Sequence, residues 1–387
     1  MRETGVTLNL RTKSKTLSIG IFSLFLSLSS GEFSQKEHHL IMQLDPSSQA
    51  PGGLLAEQVP QFVMFGFDDN SSVEELKWII DFMSERKNPS SNNQRSETFD
   101  NNPIRAAFYT NGKYLVDSVE LRKTHKLAFD QGHEIGNHTH HHFHGGEFTT
   151  DEWLQEMKTC QDALMQCGIP NDALIGFRTP FLEFNTQTFI AAEQFGFHYD
   201  STVEEGEQAD QDGTNFLWPY TLHDGSPGNK YAYTEDSGKR IGSHPGLWQI
   251  PVHVFMIPSD EHCQDYGIAP GLRVKIKSQF SEEGYGSWVA EDGKITGFDW
   301  NILEMAGLNG KEFEAILKYS LDLRLKGNRA PFMIGAHSDL YPESQPDRRQ
   351  AIENFIEYAL SIPEVRIVTP AQLIDWMKNP VGFEESL

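Results

Sequence analysis

Three cysteines in 387 residues are too few to staple a fold of this length, and 32 Lys and Arg stand against 55 Asp and Glu. The first scarcity excludes a disulfide framework. Cys160 and Cys167 lie seven apart in a helical pattern, roughly 10 Å along a helix axis, beyond the span of a bridge within one helix. Cys160 shares an apolar stripe with Trp153, Met157 and Leu164 and reads as core. A Cys167–Cys263 bridge stays open. The second scarcity leaves a formal net charge of −23 and no basic patch, which excludes nucleic acid as a partner. Fixed-period repeats are absent, and beyond residue 31 no apolar run is long enough to span a bilayer.

What the chain does hold is aromatic: 26 Phe, 7 Trp and 11 Tyr, enough to fill a sizeable core. At the N-terminus Arg2, Arg11, Lys13 and Lys15 precede an apolar run, Leu17 to Leu28, and then the small residues Ser29, Ser30 and Gly31. Basic, apolar, small is the layout of a secretory signal peptide over residues 1–31. The run is short for a transmembrane helix, and an uncleaved anchor is the alternative. The expectation is a secreted, extracellular or periplasmic protein, with residues 32–60 as a leader to the folded domain.

From residue 61 strands and helices alternate. Gln61 to Phe67 is a compact apolar run that suits a strand buried on both faces, and it ends in Asp68-Asp69. Ser72-x-x-Glu75, Thr149-x-x-Glu152 and Asn309-x-x-Glu312 have the form of capping boxes that start helices. Further strands are expected at 106–109, 133–137, 175–177, 197–200, 248–255, 331–336 and 365–368. Segments 203–247 and 259–300 are polar and read as insertions, the second as irregular chain. The pattern predicts an α/β fold, an irregular (β/α) barrel of about seven parallel strands over residues 61–380, with long loop insertions.

The polar residues sit where such a fold builds its sites. Asp68-Asp69, His138, Arg178 and His337 each follow a predicted strand, so all gather at the C-terminal face of the sheet. His138 and His142 belong to a stretch holding six histidines between His133 and His144. Their i, i+4 spacing puts two imidazoles on one face of a helical turn, although a His-rich patch can also collect metal without specificity. Asp69, His138 and His142 are candidate ligands for a divalent metal, most naturally zinc, with positions left open for water and substrate. Asp68 is the candidate general base, Arg178 its charge-assisted partner, and His337 a proton donor to a leaving group.

Gly66-Phe67-Asp68-Asp69, then His138-Thr139-His140-His141-His142, then Arg178-Thr179-Pro180-Phe181, resemble the first three motifs of the polysaccharide deacetylases, carbohydrate esterase family four. The family signature is T-F-D-D, H-[ST]-x-x-H and R-x-P-[YF]. Phe332 to His337 sits where the family's last motif places its catalytic histidine. Tyr199 to Thr202, Trp218 to Leu222, Gly246 to Val252 and Val368 to Met377 are similar to the chitin deacetylase-like branch, so the resemblance covers roughly 60–380. It implies a zinc-dependent hydrolase that removes N-acetyl groups from a polysaccharide or oligosaccharide of N-acetylglucosamine. Asp69, His138 and His142 would bind the metal. Asp68 would be the base, Arg178 its tether and His337 the acid. Thr139 would steady the ligand loop by hydrogen bonding, and a backbone N–H near Pro180-Phe181 would help hold the oxyanion. Trp218 and Trp248 would shape the substrate groove.

The chain departs from the pattern in three places. Gly66 replaces threonine, Gly335 stands where the last motif has leucine, and His223 stands where an aspartate is expected. If that aspartate tunes the catalytic histidine, as the resemblance implies, Asp224 or Asp200 must substitute for it. Four readings compete with the deacetylase: an O-acetyl esterase on another glycan, a hydrolase of a small cyclic amide, a glycan-binding protein without turnover, and a non-haem iron oxygenase using two His and one carboxylate.

Overall fold

The computed structural model describes residues 43–91, 95–283 and 292–383. The expected signal peptide, 1–31, lies outside them. Among the described residues, no helix is long and apolar enough to cross a membrane.

Among the described residues thirteen short strands organise the fold: β1 (Gln61–Asp69), β2 (Ala107–Thr110), β3 (Glu134–Asn137), β4 (Gly176–Phe177), β5 (Tyr199–Asp200), β6 (Glu204–Glu205) and β7 (Tyr220–Thr221) come first. They are followed by β8 (Trp248–Gln249), β9 (Val252–His253), β10 (Phe255–Met256), β11 (Lys294–Ile295), β12 (Phe332–His337) and β13 (Val365–Ile367). Nine of them form one sheet in the order β12-β1-β2-β3-β4-β5-β8-β7, with β13 also pairing β1. Every pairing in it is parallel except β7 with β8. The sheet curls into a half-barrel with helices outside, the irregular (β/α) barrel that the alternation predicts.

The nine residues of β1 show how sequence period sets the faces. Val63, Phe65 and Phe67 pack into the cluster beneath the helices, whereas Phe62 and Met64 join the interior cluster with Tyr109 and Tyr199. A strand alternates sides with period two, so Gly66 and Asp68 also face inward. The capping boxes predicted at Thr149 and Asn309 form, and each side chain accepts its helix's third backbone N–H. Asn185 likewise caps the helix Thr186–Phe195, which ends at Gly196 with a φ of 94°.

Two local expectations change. Segment 259–300 is not wholly irregular: Leu272–Glu283 is a helix. Leu272, Ile276 and Phe280, at i, i+4 and i+8, are buried in the core beneath a polar face, a stripe too narrow for composition to reveal. All three cysteines are buried free thiols, so the Cys167–Cys263 bridge does not form. Burial pushes the Cys160 thiol up to about 12 and that of Cys167 to about 11, which leaves both as unreactive packing groups.

Candidate metal centre and active site

Asp68 and Asp69 are neighbours, and in an extended strand their side chains would point to opposite faces. They converge because β1 ends at Asp69, whose φ is 67°, followed by Asn70 at 54°. The left-handed turn swings the Asp69 carboxylate back over the strand end, a conformation Asp and Asn tolerate better than other side chains. The Asn70 amide locks it by donating to the Phe67 carbonyl (2.8 Å) and the Tyr109 carbonyl (3.0 Å).

The histidine loop reaches the same place by a different route from the one its spacing suggests. Residues 138–144 form no helix. Left-handed turns at Thr139 (φ 64°) and His142 (φ 59°) fold the loop back on itself. Asn137 accepts from the Thr139 N–H (3.0 Å), and Asn111 donates to the His138 carbonyl (2.5 Å). Glu156, on the helix Thr150–Met165, accepts from the N–H groups of His140 (3.0 Å) and His141 (2.8 Å) and pairs with the His141 ring (2.7 Å). Among the described residues, six of the nine non-glycine residues with positive φ belong to this site: Asp69, Asn70, Thr139, His142, Phe181 and Leu182. Such backbone strain persists where the surroundings enforce it, and it gathers at functional sites.

Asp69, His138 and His142 each aim one ligand atom into a common space, all within 4.8 Å of one another. The Asp69 Oδ1 lies 3.2 Å from the His142 Nε2 and 3.8 Å from the His138 Nε2. His138 Nδ1 donates to the Arg178 carbonyl (2.9 Å), which leaves the Nε2 lone pair facing Asp69, the outer-shell arrangement that orients a metal-ligating imidazole. Burial lowers His138 to about 3, against the pull of Asp69, and lowers His142 as well. Both rings are therefore neutral and able to ligate at pH 7. Asp69 Oδ1 is buried without a hydrogen-bond partner, an expense a cation in this space removes. The donor set fits a divalent metal.

Asp68 is 3% exposed. Its Oδ1 accepts from Arg178 Nη1 at 2.7 Å, and its Oδ2 lies 3.8 Å from His138 Nε2. Burial raises the Asp68 carboxyl, and Arg178 opposes that shift first among its neighbours. Arg178 itself is fully buried: Nε donates to the Ser201 carbonyl (2.7 Å), and Nη2 to the Ser201 hydroxyl (3.0 Å).

His337 is registered directly opposite Asp68 across β12 and β1. Its tuning carboxylate is Asp299, not Asp224 or Asp200. His337 Nδ1 pairs with Asp299 Oδ1 at 2.7 Å, while the His337 N–H and the Tyr341 hydroxyl donate to Asp299 Oδ2 at 2.9 and 2.8 Å. Asp224 is exposed and pairs with Lys230; Asp200 is spent on the Thr202 N–H and hydroxyl. Burial works against a charge on His337, but Asp299, then Asp68 and Asp69, outweigh it and push the ring up to about 9. The glycine at 335 explains how Asp299 arrives. Residues 297–299 run alongside β12, with the Gly335 N–H donating to the Gly297 carbonyl (2.9 Å) and the Phe298 ring filling the space a side chain at 335 would take. A π-helical turn, Asn301–Met305, follows. In the sequence only the apolar flanks of Asp299, Phe298 and Trp300, set it apart from the polar stretch around it.

The remaining expected residues divide. Phe181, with φ 57° and 56% exposed, lies at the rim against the rings of His142 (4.4 Å) and His144 (4.0 Å), and Pro180 is buried beside it. Thr139 steadies the loop through its backbone rather than its hydroxyl, which is buried without a partner. Trp218 and Trp248 do not line a groove. They are 2% and 4% exposed in the interior cluster, where Trp218 stacks on Trp376 at 6.0 Å and donates to the Asn328 carbonyl (3.3 Å). Their apolar neighbours on short strands give each ring more buried contact than a groove would.

Residues 57–199 match the family model described as polysaccharide deacetylase. Two proteins of Bombyx mori, chitin deacetylase 8 and chitin deacetylase 1, are each 26% identical to the chain over 87% of its length. The chain spans 76% of the first and about half, 54%, of the second. A crystal structure from Mycobacterium smegmatis, given as a candidate polysaccharide deacetylase, superposes with a TM-score of 0.52 at 17% identity, over 87% of this chain and 95% of that one.

Proposed function

From a chain that carries a polysaccharide deacetylase domain, we propose a zinc-dependent hydrolase that removes N-acetyl groups from an extracellular polymer or oligomer of N-acetylglucosamine. One observation carries the reading: a buried carboxylate, Asp68, and the imidazole of His337 stand side by side in register, next to three side chains that could hold a metal ion.

Amide hydrolysis needs a proton taken from the attacking water and a proton given to the departing nitrogen. Asp69, His138 and His142 would hold a divalent ion, whose chemistry there would be Lewis acidity and a lowered pKa for water. Asp68 takes the proton; its raised affinity for one, set by burial, suits a base that must hold it through the reaction. Arg178 fixes the carboxylate's orientation through Oδ1 and leaves Oδ2 free on the side of His138. His337, charged at neutral pH, gives its proton to the sugar nitrogen, and Asp299 stabilises that charge beforehand. Phe298 supplies an apolar wall beside His337, 5.9 Å between rings, where the family's leucine is missing. Acetate release measured side by side on acetylated chitin oligomers and on acetylxylan tests the reading. Release from the chitin oligomers supports N-deacetylation; release from acetylxylan alone replaces it with an O-acetyl esterase.

The Asp299–His337 pair has its own pH signature. The wild-type rate should hold well above pH 6.5, because Asp299 keeps the His337 proton in place. Asp299→Asn should return the ring toward its ordinary value near 6.5, leaving about 3% of it protonated at pH 8 and cutting the rate there roughly thirtyfold. Lowering the pH to 6 should recover most of the loss. Because folding raises the His337 pKa, the pair's contribution to stability is full below about 6.5 and fades as pH rises through 9. Rate profiles of wild type and variant between pH 5.5 and 9.5 check this; an unmoved alkaline limb would assign it to another group.

A further inference from the structure

Behind Arg178 the barrel interior contains a chain of buried polar groups that the reaction does not use. The guanidinium carbon lies 4.2 Å from the centre of the Tyr109 ring. The Tyr109 hydroxyl is 3.0 Å from that of Tyr199, and Tyr199 donates to Glu134 Oε1 at 2.7 Å. Since the single Tyr199 proton goes to Glu134, the Tyr109 hydroxyl is the donor in its pair with Tyr199. Glu134 Oε2 accepts from the Ala371 N–H (2.9 Å) in the first turn of the helix Pro370–Lys378, where the helix dipole favours negative charge. Tyr109 and Tyr199 are fully buried, and Glu134 is 8% exposed.

The interior is shaped to hold these rings. A Cβ on Gly66 would come within 2.9 Å of the Tyr109 ring and 2.8 Å of Arg178 Nη1. One on Gly136 would meet the Tyr109 ring at 2.5 Å. Gly66 is the position where the first motif departs from the family's threonine, and the space that side chain would take is occupied here by Tyr109 and Arg178.

We propose that Tyr109, Tyr199 and Glu134 are positioning residues for Arg178 and, through it, for Asp68. The inference rests on the reading of Asp68 as the base. Ser201 holds the guanidinium at Nε and Nη2, and Nη1 donates to the Gly66 carbonyl (3.3 Å) as well as to Asp68. Two rings stand against its faces, Tyr109 at 4.2 Å and, farther off, Phe298 at 5.1 Å, and the nearer Tyr109 face is the stronger cation–π restraint on its tilt. The hydroxyl chain ending on a dipole-held carboxylate fixes the ring, so the direction of Nη1 toward Asp68 is set from outside the reacting groups.

Two measurements test it together. Tyr109→Phe keeps the ring and deletes the tether; it should lower kcat roughly fivefold to tenfold, with KM and zinc affinity unchanged. In an Arg178→Lys background the same change should cost nothing further, because the group it positions is gone. The second readout does not depend on turnover. The Arg178 Nε–H resonance, identified by its loss in Arg178→Lys, should exchange with solvent at least several-fold faster in Tyr109→Phe. Tyr199→Phe should behave alike in both, and serves if the first variant fails to fold. Unchanged kcat with unchanged exchange would overturn the proposal, as would losses that multiply across the double mutant. If the wild-type chain releases no acetate, the exchange experiment still decides whether the chain positions Arg178, while the role of Asp68 falls separately.

Discussion

Asp68→Asn is expected to lower acetate release by roughly a hundredfold to ten-thousandfold, the range a general base contributes, while the protein still binds one zinc. The substitution keeps shape and one acceptor oxygen but removes the proton acceptor. It leaves Asp69, His138 and His142 in place, so titration calorimetry should find the metal affinity changed far less than the rate. A second effect follows from burial. Arg178 is fully enclosed and its carboxylate partner lies 2.7 Å away. Removing one member of a buried ion pair strands the other, at a cost of about 3–5 kcal/mol. The variant should therefore melt several degrees lower, and its rate must be measured well below that transition. Retained activity in a folded variant would assign the base to another group.

His142→Ala should have the other large effect, of the opposite kind. His142 keeps 18% of its side chain exposed, so its removal costs the fold little. The proposed metal centre, however, would fall from three protein ligands to two. Replacing even an outer-shell partner typically costs 10–100-fold in affinity, and loss of a direct ligand should exceed roughly a hundredfold. Calorimetry should detect no tight zinc site, and acetate release should disappear at micromolar zinc. Asp68→Asn thus separates chemistry from metal, and His142→Ala removes both. A variant that binds zinc as tightly as the wild type would remove His142 from the ligand set.

Much of this site was legible in the sequence because its residues sit at strand ends. The alternation of apolar runs and capped helices placed Asp68, His138, Arg178 and His337 on one face, and the register of β1 with β12 brings Asp68 and His337 together as that topology requires. What spacing could not convey was the backbone that aims them. The i, i+4 interval of His138 and His142 suggested a helical turn, whereas two left-handed residues in a loop bring the rings together. Asp299 was hidden for a different reason. It lies 38 residues before His337, in a stretch whose polar composition pointed to irregular chain, and no local pattern marks a carboxylate that acts through a tertiary contact. Trp218 and Trp248 misled because aromatic residues serve cores and sugar-binding surfaces alike, and only burial separates the two uses. The replacement of threonine by Gly66 has no evident reason in the sequence. Its meaning depends on Tyr109, 43 positions away in the chain and directly against it in the barrel.

The most direct test of the account is acetate release from acetylated chitin oligomers by protein stripped with a chelator, before and after one equivalent of zinc. The account predicts negligible release from the stripped protein and restoration on adding zinc. A stripped protein that keeps its full rate would contradict the metal centre. Stoichiometric zinc binding at Asp69, His138 and His142 with no acetate released from the oligomers would contradict the deacetylase.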